Sequence, residues 1–272
     1  MAKQAQLVKQ EGGPPPANPD DLDALLREHA GEGVSTDAAD NLVPQIRVLQ
    51  PLSPEVTAGK AAAGDFQLPD RVIKGSEGLW FQPCWRDNIW LEFTPRDRGG
   101  GFVGAHAFSG FDPSGNAIAP QGSRRQGAFG HVMAATGNDV AHYSQWSGLM
   151  WDAPGRALEH VINFSKSGHT IQKKWNTKAL QADRFPDGRS QALFAHVYHL
   201  TTYQTRNAKG TWYLIEVGPA VLIKSPEAAE VVGDQLQALR VAIALASAFK
   251  NREKVAAQDV GGDASVDDSE VM

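Results

Sequence analysis

The segment ALFAHVYHLTTYQTRNAKGTWYLIEVGPAVLIK, residues 192–224, carries the strongest indication of the fold. Two runs rich in β-branched and aromatic residues, 192–205 and 211–224, flank the short loop Asn207-Ala208-Lys209-Gly210. A short loop that ends in glycine between two such runs predicts an antiparallel β-hairpin. Gly218-Pro219 predicts that the second strand either bends or ends at that point.

The remaining elements predict a mainly β domain with helices, an α+β fold. Residues 170–181 and 226–250 are predicted as helices, the second because Ser225-Pro226-Glu227 is a typical helix start and apolar residues then recur at helical spacing. Gly233 is expected to bend or break this long C-terminal helix near its start. We expect the strands to form an OB-like antiparallel barrel or a curved sheet. The further predicted strands are 43–49, 78–84, 88–93, 101–108 and 158–164.

Charge is distributed unevenly along the chain. The formal net charge is -5, yet residues 1–41 hold three basic and eight acidic side chains, and residues 255–272 hold five acidic and no basic ones. The body, 42–254, holds 23 basic and 18 acidic residues. We therefore predict one globular domain over 42–254 between a largely disordered acidic N-terminal segment, with a short helix near 19–30, and a disordered acidic tail. The total charge alone would argue against nucleic acid as a partner, whereas its distribution does not.

Several classes of site are excluded or disfavoured. Cys84 is the single cysteine of the 272 residues, which excludes an intramolecular disulfide and a cysteine-cluster metal site and favours a reducing, cytoplasmic setting. We expect neither a secretory signal nor a membrane span. The string Gly99 to Gly104 matches a dinucleotide fingerprint, but no helix pattern follows it. We find no nucleophile elbow, metalloprotease histidine pair or close carboxylate pair, so we expect no catalytic residues, no metal and no cofactor.

A binding pattern remains in the first part of the body. Trp80, Phe81, Trp85, Trp90 and Phe93 fall within fourteen residues, interleaved with Arg86 and followed by Arg96 and Arg98. If Ile89, Leu91 and Phe93 face the core, strand alternation points Trp90 the other way. Trp90 is then either an exposed stacking residue or a ring packed under a helix. Aromatic enrichment is also what the core of any folded domain requires.

A second pattern lies in the region of the first predicted helix. Between Lys166 and Thr177, four cationic or potentially cationic side chains and Trp175 occur without an acidic residue. An exposed helix face usually mixes both signs, so this bias favours phosphate contacts. Arg124-Arg125, in a loop rich in Gly, Pro and Gln, adds a candidate clamp. The predicted DNA-binding residues are Trp90, Arg96, Arg98, Arg124, Arg125, Lys166, Lys173, Lys174 and Trp175.

These motifs resemble a family of tailed-bacteriophage proteins found near replication genes and suspected to bind single-stranded DNA. The resemblance spans about 43–224 and rests on four short motifs. They are the run from Val43-Pro44 to Gln50; Ser53-Pro54-Glu55; Thr94-Pro95-Arg96 leading to Gly99-Gly100-Gly101; and Lys173-Lys174-Trp175-Asn176. More broadly, the layout resembles phage and bacterial single-stranded DNA-binding proteins, which carry aromatics on an OB-type barrel and end in an acidic tail.

The resemblance implies a non-enzymatic, sequence-tolerant binder of single-stranded DNA that acts in replication or recombination, in the host cytoplasm. It also implies that the tail modulates binding or recruits replication and recombination proteins. Here the chain departs from the bacterial pattern, because Glu270-Val271-Met272 lacks the terminal aromatic that docks partners. Two alternatives remain open: a strand-annealing protein that forms homo-oligomeric rings through the helix 226–250, and a virion or assembly protein. The acidic tail residues are Asp259, Asp263, Asp267, Asp268 and Glu270.

Overall fold

The structure, a computed structural model, describes residues 42–126, 130–165, 168–182, 184–208, 210–251 and 255–256. The chain divides into two units, Met1–Asp37 and Ala38–Met272, and every described residue belongs to the second. The helix predicted near 19–30 and the acidic tail from residue 257 onward lie outside the described residues.

The described elements are mostly strands, with four α-helices between or after them. Two 3-10 turns, Arg96–Arg98 and Leu193–Ala195, lie in the connections. In chain order the elements are β1 (Leu42–Val43), β2 (Gln45–Val48), α1 (Pro54–Thr57), β3 (Phe66–Gln67), β4 (Val72–Ile73), β5 (Leu79–Phe93), β6 (Phe102–Ala107), β7 (Ser123–Gln126), β8 (Gly130–Met133), β9 (Asp139–Ala153), β10 (Arg156–Ser165), α2 (Gly168–Gln181), β11 (His196–Asn207), β12 (Gly210–Leu222), α3 (Pro226–Val232), α4 (Gln235–Lys250) and β13 (Val255–Ala256).

The predicted hairpin is confirmed. β11 and β12 pair in antiparallel register from His196 opposite Leu222 to Asn207 opposite Gly210. The register shifts between Tyr198 and Leu200, where Gly218 and Pro219 of β12 lie opposite the single residue His199 of β11. The Gly-Pro pair therefore bends the strand and does not end it. A side chain at Gly218 would lie 2.8 Å from the backbone oxygen of His199, so the bulge requires glycine.

Eleven strands form one sheet, whose main path runs β12-β11-β5-β9-β10-β2-β3-β4. β6 pairs with the C-terminal half of β5, and the β7–β8 hairpin pairs with the start of β9. Two separate clusters of buried apolar side chains cover the two faces of the central strands. Along β9, Trp146 and Met150 lie in one cluster, while Leu149 and Trp151 lie in the other. The core is thus split by the sheet.

The sheet curls around helix α2. This helix contacts β10 and β12, and three strands lie between these two in the sheet order. The sheet therefore bends around the helix. Trp175 of α2 is fully buried and stacks on Trp146 of β9, with ring centroids 4.3 Å apart and an interplanar angle of 11°. Its ring also meets the edges of Phe81, Phe164 and Tyr198, on β5, β10 and β11. One indole therefore contacts four successive strands.

A side chain joins the two ends of the curled sheet. The Gln50 amide lies beyond β2 and reaches Tyr213 of β12, accepting from its N–H at 2.9 Å and donating to its carbonyl at 3.0 Å. Thr202 of β11 donates through Oγ1 to the Gly64 carbonyl at 2.7 Å. The Tyr213 ring fills the space beside Gly64, where a Cβ would lie 2.4 Å from it. The strands of the main path form an open half-barrel. The side-chain contacts of Gln50, Thr202 and Tyr213 bridge its open side.

The outer face of the sheet is covered by α3 and α4. Their buried residues, among them Val232, Ala242 and Leu245, pack against Cys84, Leu149 and Val197 of the strands. The long helix predicted over 226–250 is two helices in the structure. Gly233, where a bend or break was expected, takes a φ of 70° and ends α3. Asp234 then caps α4, its carboxylate accepting from the backbone N–H groups of Leu236 and Gln237.

The mainly β prediction with a curved sheet and helices is confirmed, whereas several strands were not anticipated. The predicted strands 78–84 and 88–93 are parts of β5, a single strand of 15 residues with a bulge at Cys84. β9 is equally long and has no apolar alternation, because both of its faces are buried. β3, β4, β7 and β8 are too short to produce a pattern in the sequence.

Replacing Trp175 by alanine tests the central role of this ring. We expect Trp175→Ala to lower the free energy of unfolding by about 3–5 kcal/mol, because it leaves a cavity against four strands. The neighbouring Lys174, which is exposed, provides the control: Lys174→Ala should change stability by less than ~0.5 kcal/mol. Urea denaturation followed by circular dichroism measures both, and equal stability of the two variants would contradict the assignment.

Candidate nucleic-acid interface

Strand register collects several rings on the face of the sheet that carries α2. Trp90 of β5 lies directly opposite His142 of β9 and His106 of β6. Residues paired across an antiparallel ladder share a face, so these side chains project from the sheet together. The same alternation along β5 places Arg86, Asn88 and Glu92 on this face, and Arg86 donates to Asn176 Oδ1 of α2 at 2.9 Å.

His142 is the centre of a group of stacked rings, which we call the ring cluster: Trp90, Phe108, Phe111, His131, His142 and His169. His169 of α2 stacks on His142 with centroids 4.8 Å apart and an angle of 17°. Phe108 stacks on His142 as well, at 5.3 Å and 22°. Phe111 meets His142 edge-on at 6.0 Å. Trp90 closes the cluster from below, 5.4 Å from His142 and 5.3 Å from His131.

The ring cluster has a buried base and an exposed tip. Trp90 is only 3% exposed, whereas Phe111 is 51% exposed. An exposed ring that is held in place by rings beneath it offers a flat, preorganised surface to another aromatic group.

Burial keeps the histidines of the ring cluster neutral at pH 7. Burial lowers the pKa of His142 to about 4, followed by repulsion from His169 when that ring is protonated and from Arg86. Burial also lowers the pKa of His169, with Lys173 and Arg86 acting in the same direction. The pKa of His131 is lowered by burial and then by Arg125. Three cationic side chains therefore act on the cluster from α2, β5 and β7.

Four of the predicted cations are exposed on α2 and on the β7–β8 hairpin. Lys173 and Lys174 are exposed on α2, one turn after His169. Arg125 is exposed and lies opposite His131 in the β7–β8 ladder, and Arg124 is its exposed neighbour. Because His131 contacts Trp90, this hairpin brings Arg125 to the cluster, whereas Arg124 pairs with the buried Val132 and projects from the opposite face of the hairpin. The structure thus brings Lys173 and Arg125 to the ring cluster, with Lys174 exposed beside Lys173, and does not bring Arg124 there.

Other predicted residues are placed differently. The Arg98 guanidinium donates to the carbonyls of Thr136 and Gly137, at 2.9 and 2.8 Å, and to Asn138 Oδ1 at 3.0 Å. It therefore holds two turns together, and a phosphate would compete with those bonds. The side chain of Arg96 and the whole of Lys166 lie outside the described residues.

The two predicted tryptophans are corrected. Trp90 is 3% exposed and Trp175 is fully buried, so neither offers a face to a base as an exposed stacking residue. Trp90 supports the ring cluster, and Trp175 supports the curl of the sheet. The rings Phe108, Phe111, His142 and His169 were not predicted as site residues, because their proximity depends on the unpredicted strand β9. The available signal was the period-two series Phe102, Gly104, His106, Phe108.

The Glu92 carboxylate, which lies on this face, is already hydrogen-bonded to neighbouring side chains. Glu92 is buried and accepts from Asn138 Nδ2 at 2.7 Å and Thr136 Oγ1 at 3.3 Å, and its Oε2 lies 2.7 Å from His106 Nε2. Burial acts to raise the pKa of Glu92, but these hydrogen bonds outweigh it, so the pKa is lowered and the carboxylate stays charged. Within the described ranges, no group of three His, Cys, Asp or Glu side chains is arranged to hold a metal ion.

Stability should depend on pH through His142. The pKa of His142 is about 4 in the folded chain and about 6.5 when unfolded, so between these values the unfolded state binds more protons. Stability is therefore lost as the pH falls from 7 to 5, with His142 contributing about 1 kcal/mol after allowance for its partial exposure. His142→Phe keeps a ring in place but cannot titrate, so it should show a smaller loss. Thermal unfolding at pH 7 and pH 5 measures the difference, and equal losses in both proteins would contradict this account.

Comparisons with known proteins give one match. A family model described as Pam3 phage gp34-like protein matches residues 10–240. No curated protein and no solved structure gives a significant match. In the described part of the chain, none of the helices is long and apolar enough to cross a membrane. The bacteriophage origin implied by the sequence resemblance is confirmed. Since the family model covers well over half of the 272 residues, the chain belongs to the Pam3 phage gp34-like family.

Proposed function

We propose that this phage protein binds single-stranded DNA without strong sequence preference, and that it does so as a binder and not as an enzyme. The observation that carries the proposal is the ring cluster, with Phe111 exposed at its tip and the cations Lys173, Lys174 and Arg125 on the elements beside it. Aromatic faces beside a row of cations are the usual means of holding single strands, because every base can stack and every nucleotide carries a phosphate.

The geometry supports a division of roles between rings and cations. Phe111, backed by His142 and Phe108, would stack on a base, an interaction that contributes about 1–3 kcal/mol. Lys173 and Lys174 on α2 and Arg125 on β7 would contact phosphates beside the rings. The neutral state of the histidines at pH 7 suits them to stacking.

The charge distribution also supports binding to a polyanion. The body carries 23 basic and 18 acidic residues, and the acidic excess belongs to the two terminal segments. We further propose that the acidic tail modulates DNA binding or recruits replication and recombination proteins, through Asp259, Asp263, Asp267, Asp268 and Glu270. We also propose that the fold is related to OB-type barrels, and the curved, mainly β sheet is compatible with such a relationship.

A second candidate function is strand annealing by a homo-oligomer. It is favoured by two apolar residues on α4, Leu236 and Ile243, which lie seven positions apart and are 59% and 50% exposed. Residues at this spacing share one face of a helix and suit a helix–helix interface. Sedimentation in the presence of DNA distinguishes large rings from a small binding unit.

The electrostatic part of the proposal is tested by salt dependence. Fluorescent oligo-dT should bind at low salt and lose affinity as salt rises, because bound counterions are released. Lys173→Ala with Lys174→Ala should reduce the slope of log affinity against log salt by about 1.4, at about 0.7 per phosphate contact. The matched control removes Lys224 and Arg240, exposed cations that belong to the α3 and α4 side of the sheet. Absence of binding at low salt, or equal slopes in both double variants, would contradict the proposal.

The stacking part is tested at Phe111. Phe111→Ala should weaken oligo-dT binding by about 5- to 150-fold, the equivalent of one stacked base. Because Phe111 is 51% exposed, the substitution should leave stability nearly unchanged. Tyr203→Ala removes another exposed ring, 39% exposed on β11, and should leave the affinity as it is. The stacking role is wrong if both alanine variants bind like the parent protein.

A further inference from the structure

A groove outside the ring cluster runs along an open edge of β5. β9 pairs with β5 from Trp80 to Phe93, but on the other side β11 pairs only with Leu79–Phe81 and β6 only from Ile89 onward. Among the described strands, residues 82–88 therefore have a neighbour on one side alone. The Gln82 amide donates to the Phe194 carbonyl at 2.8 Å, so a side chain ties the adjoining loop to β5 at this point.

The groove has a volume of about 540 Å³ and lies between two helices. The α2 wall provides Asn176 and Leu180, and the α4 wall provides Ile243 and Lys250. Leu180 and Ile243 are each 50% exposed, which is unusual for two apolar residues that face one another across a cleft. The lining residues include the cations Arg86 and Lys250 and no carboxylate.

We infer that the C-terminal segment 257–272 of the same chain docks in this groove as an extended strand along β5. Charge complementarity supports this occupant, because the segment carries five acidic and no basic residues. Strand addition to an open sheet edge is a common way to bind an extended segment. Pro83 has no N–H to donate and Cys84 is the bulged residue, so pairing would use those backbone groups of 85–88 that point away from β9. The Asn88 N–H bonds to the Asp87 carboxylate at 2.8 Å, and a docked strand would displace that local bond.

The sequence of the segment also fits a cleft with two similar walls. Side chains of an extended strand alternate, so Val266, Asp268 and Glu270 would face one wall while Asp267, Ser269 and Val271 face the other. Each face then presents a valine and at least one carboxylate. Each wall of the groove presents an apolar and a basic side chain: Leu180 with Arg86 on the α2 side, and Ile243 with Lys250 on the α4 side.

The chain is long enough to make this connection. Lys250 lines the groove, and β13 ends six residues later at Ala256. These six residues span at most about 21 Å, while the 16 residues that follow reach about 53 Å when extended. The segment can therefore return to the groove from the end of β13.

Hydrogen exchange of the full-length protein, without DNA, tests the inference independently of the proposed function. Those amides of residues 85–88 that point away from β9 should exchange about tenfold more slowly in the parent protein than in a variant with Asp267→Asn, Asp268→Asn and Glu270→Gln. A tenfold effect corresponds to a segment docked about nine-tenths of the time. Neutralising Asp20, Asp21 and Asp23 in the N-terminal segment is the matched control and should leave the exchange unchanged.

Charge reversal in the groove provides the second arm. Lys250→Glu should remove the protection, Arg240→Glu on the same helix should not, and Asp268→Lys should restore protection in the Lys250→Glu background. Equal exchange in the parent and the tail-neutralised variant overturns the inference. Protection that rises with protein concentration assigns the groove to the tail of a second copy, and protection that appears only with oligo-dT assigns it to DNA; either result overturns intramolecular docking.

Discussion

The stack of Trp175 on Trp146 is the contact on which the curvature of the sheet depends. A sheet with both faces covered has no inherent reason to close on one side, because its twist alone gives a propeller shape. Here a single helix lies inside the curve and presents one fully buried indole to β11, β5, β9 and β10. The same helix carries His169, Lys173 and Lys174, so the residue that shapes the fold also positions one side of the candidate interface.

The ring cluster follows from this arrangement. His169 can stack on His142 only because α2 is fixed across the sheet six residues further along, at Trp175. Trp90 and Glu92 form a buried base in which the carboxylate is satisfied by Asn138, Thr136 and His106. A well-packed base whose carboxylate is fully hydrogen-bonded gives a rigid platform beneath the exposed ring of Phe111, whereas the cations lie on more peripheral elements, α2 and the β7–β8 hairpin.

The sequence was informative where one face of an element is exposed or a turn has a special residue. The β11–β12 hairpin, the bulge at Gly218-Pro219 and the helix α2 follow from such local signals. β9 has no such signal, because burial of both faces removes the alternation from which strands are recognised. Of the candidate interface, the cations Lys173, Lys174 and Arg125 were among the residues predicted from the sequence, whereas Arg124 projects from the opposite face of its hairpin. The rings of the interface were not found, since a tryptophan in a basic segment was interpreted as a stacking residue when the core required it.

The contacts that bridge the open side of the half-barrel join distant parts of the chain. Gln50 and Tyr213 are 163 positions apart. At a synthesis rate of about 5–20 residues per second, the ribosome needs about 10–30 s to make the intervening chain. The ladder of β5, β9 and β10 is local and is complete once residue 165 has emerged, but the curl must wait for β11 and β12. A nascent chain therefore passes through a stage with a twisted but uncurled sheet, and β1 meets β13 only after residue 256 has been made.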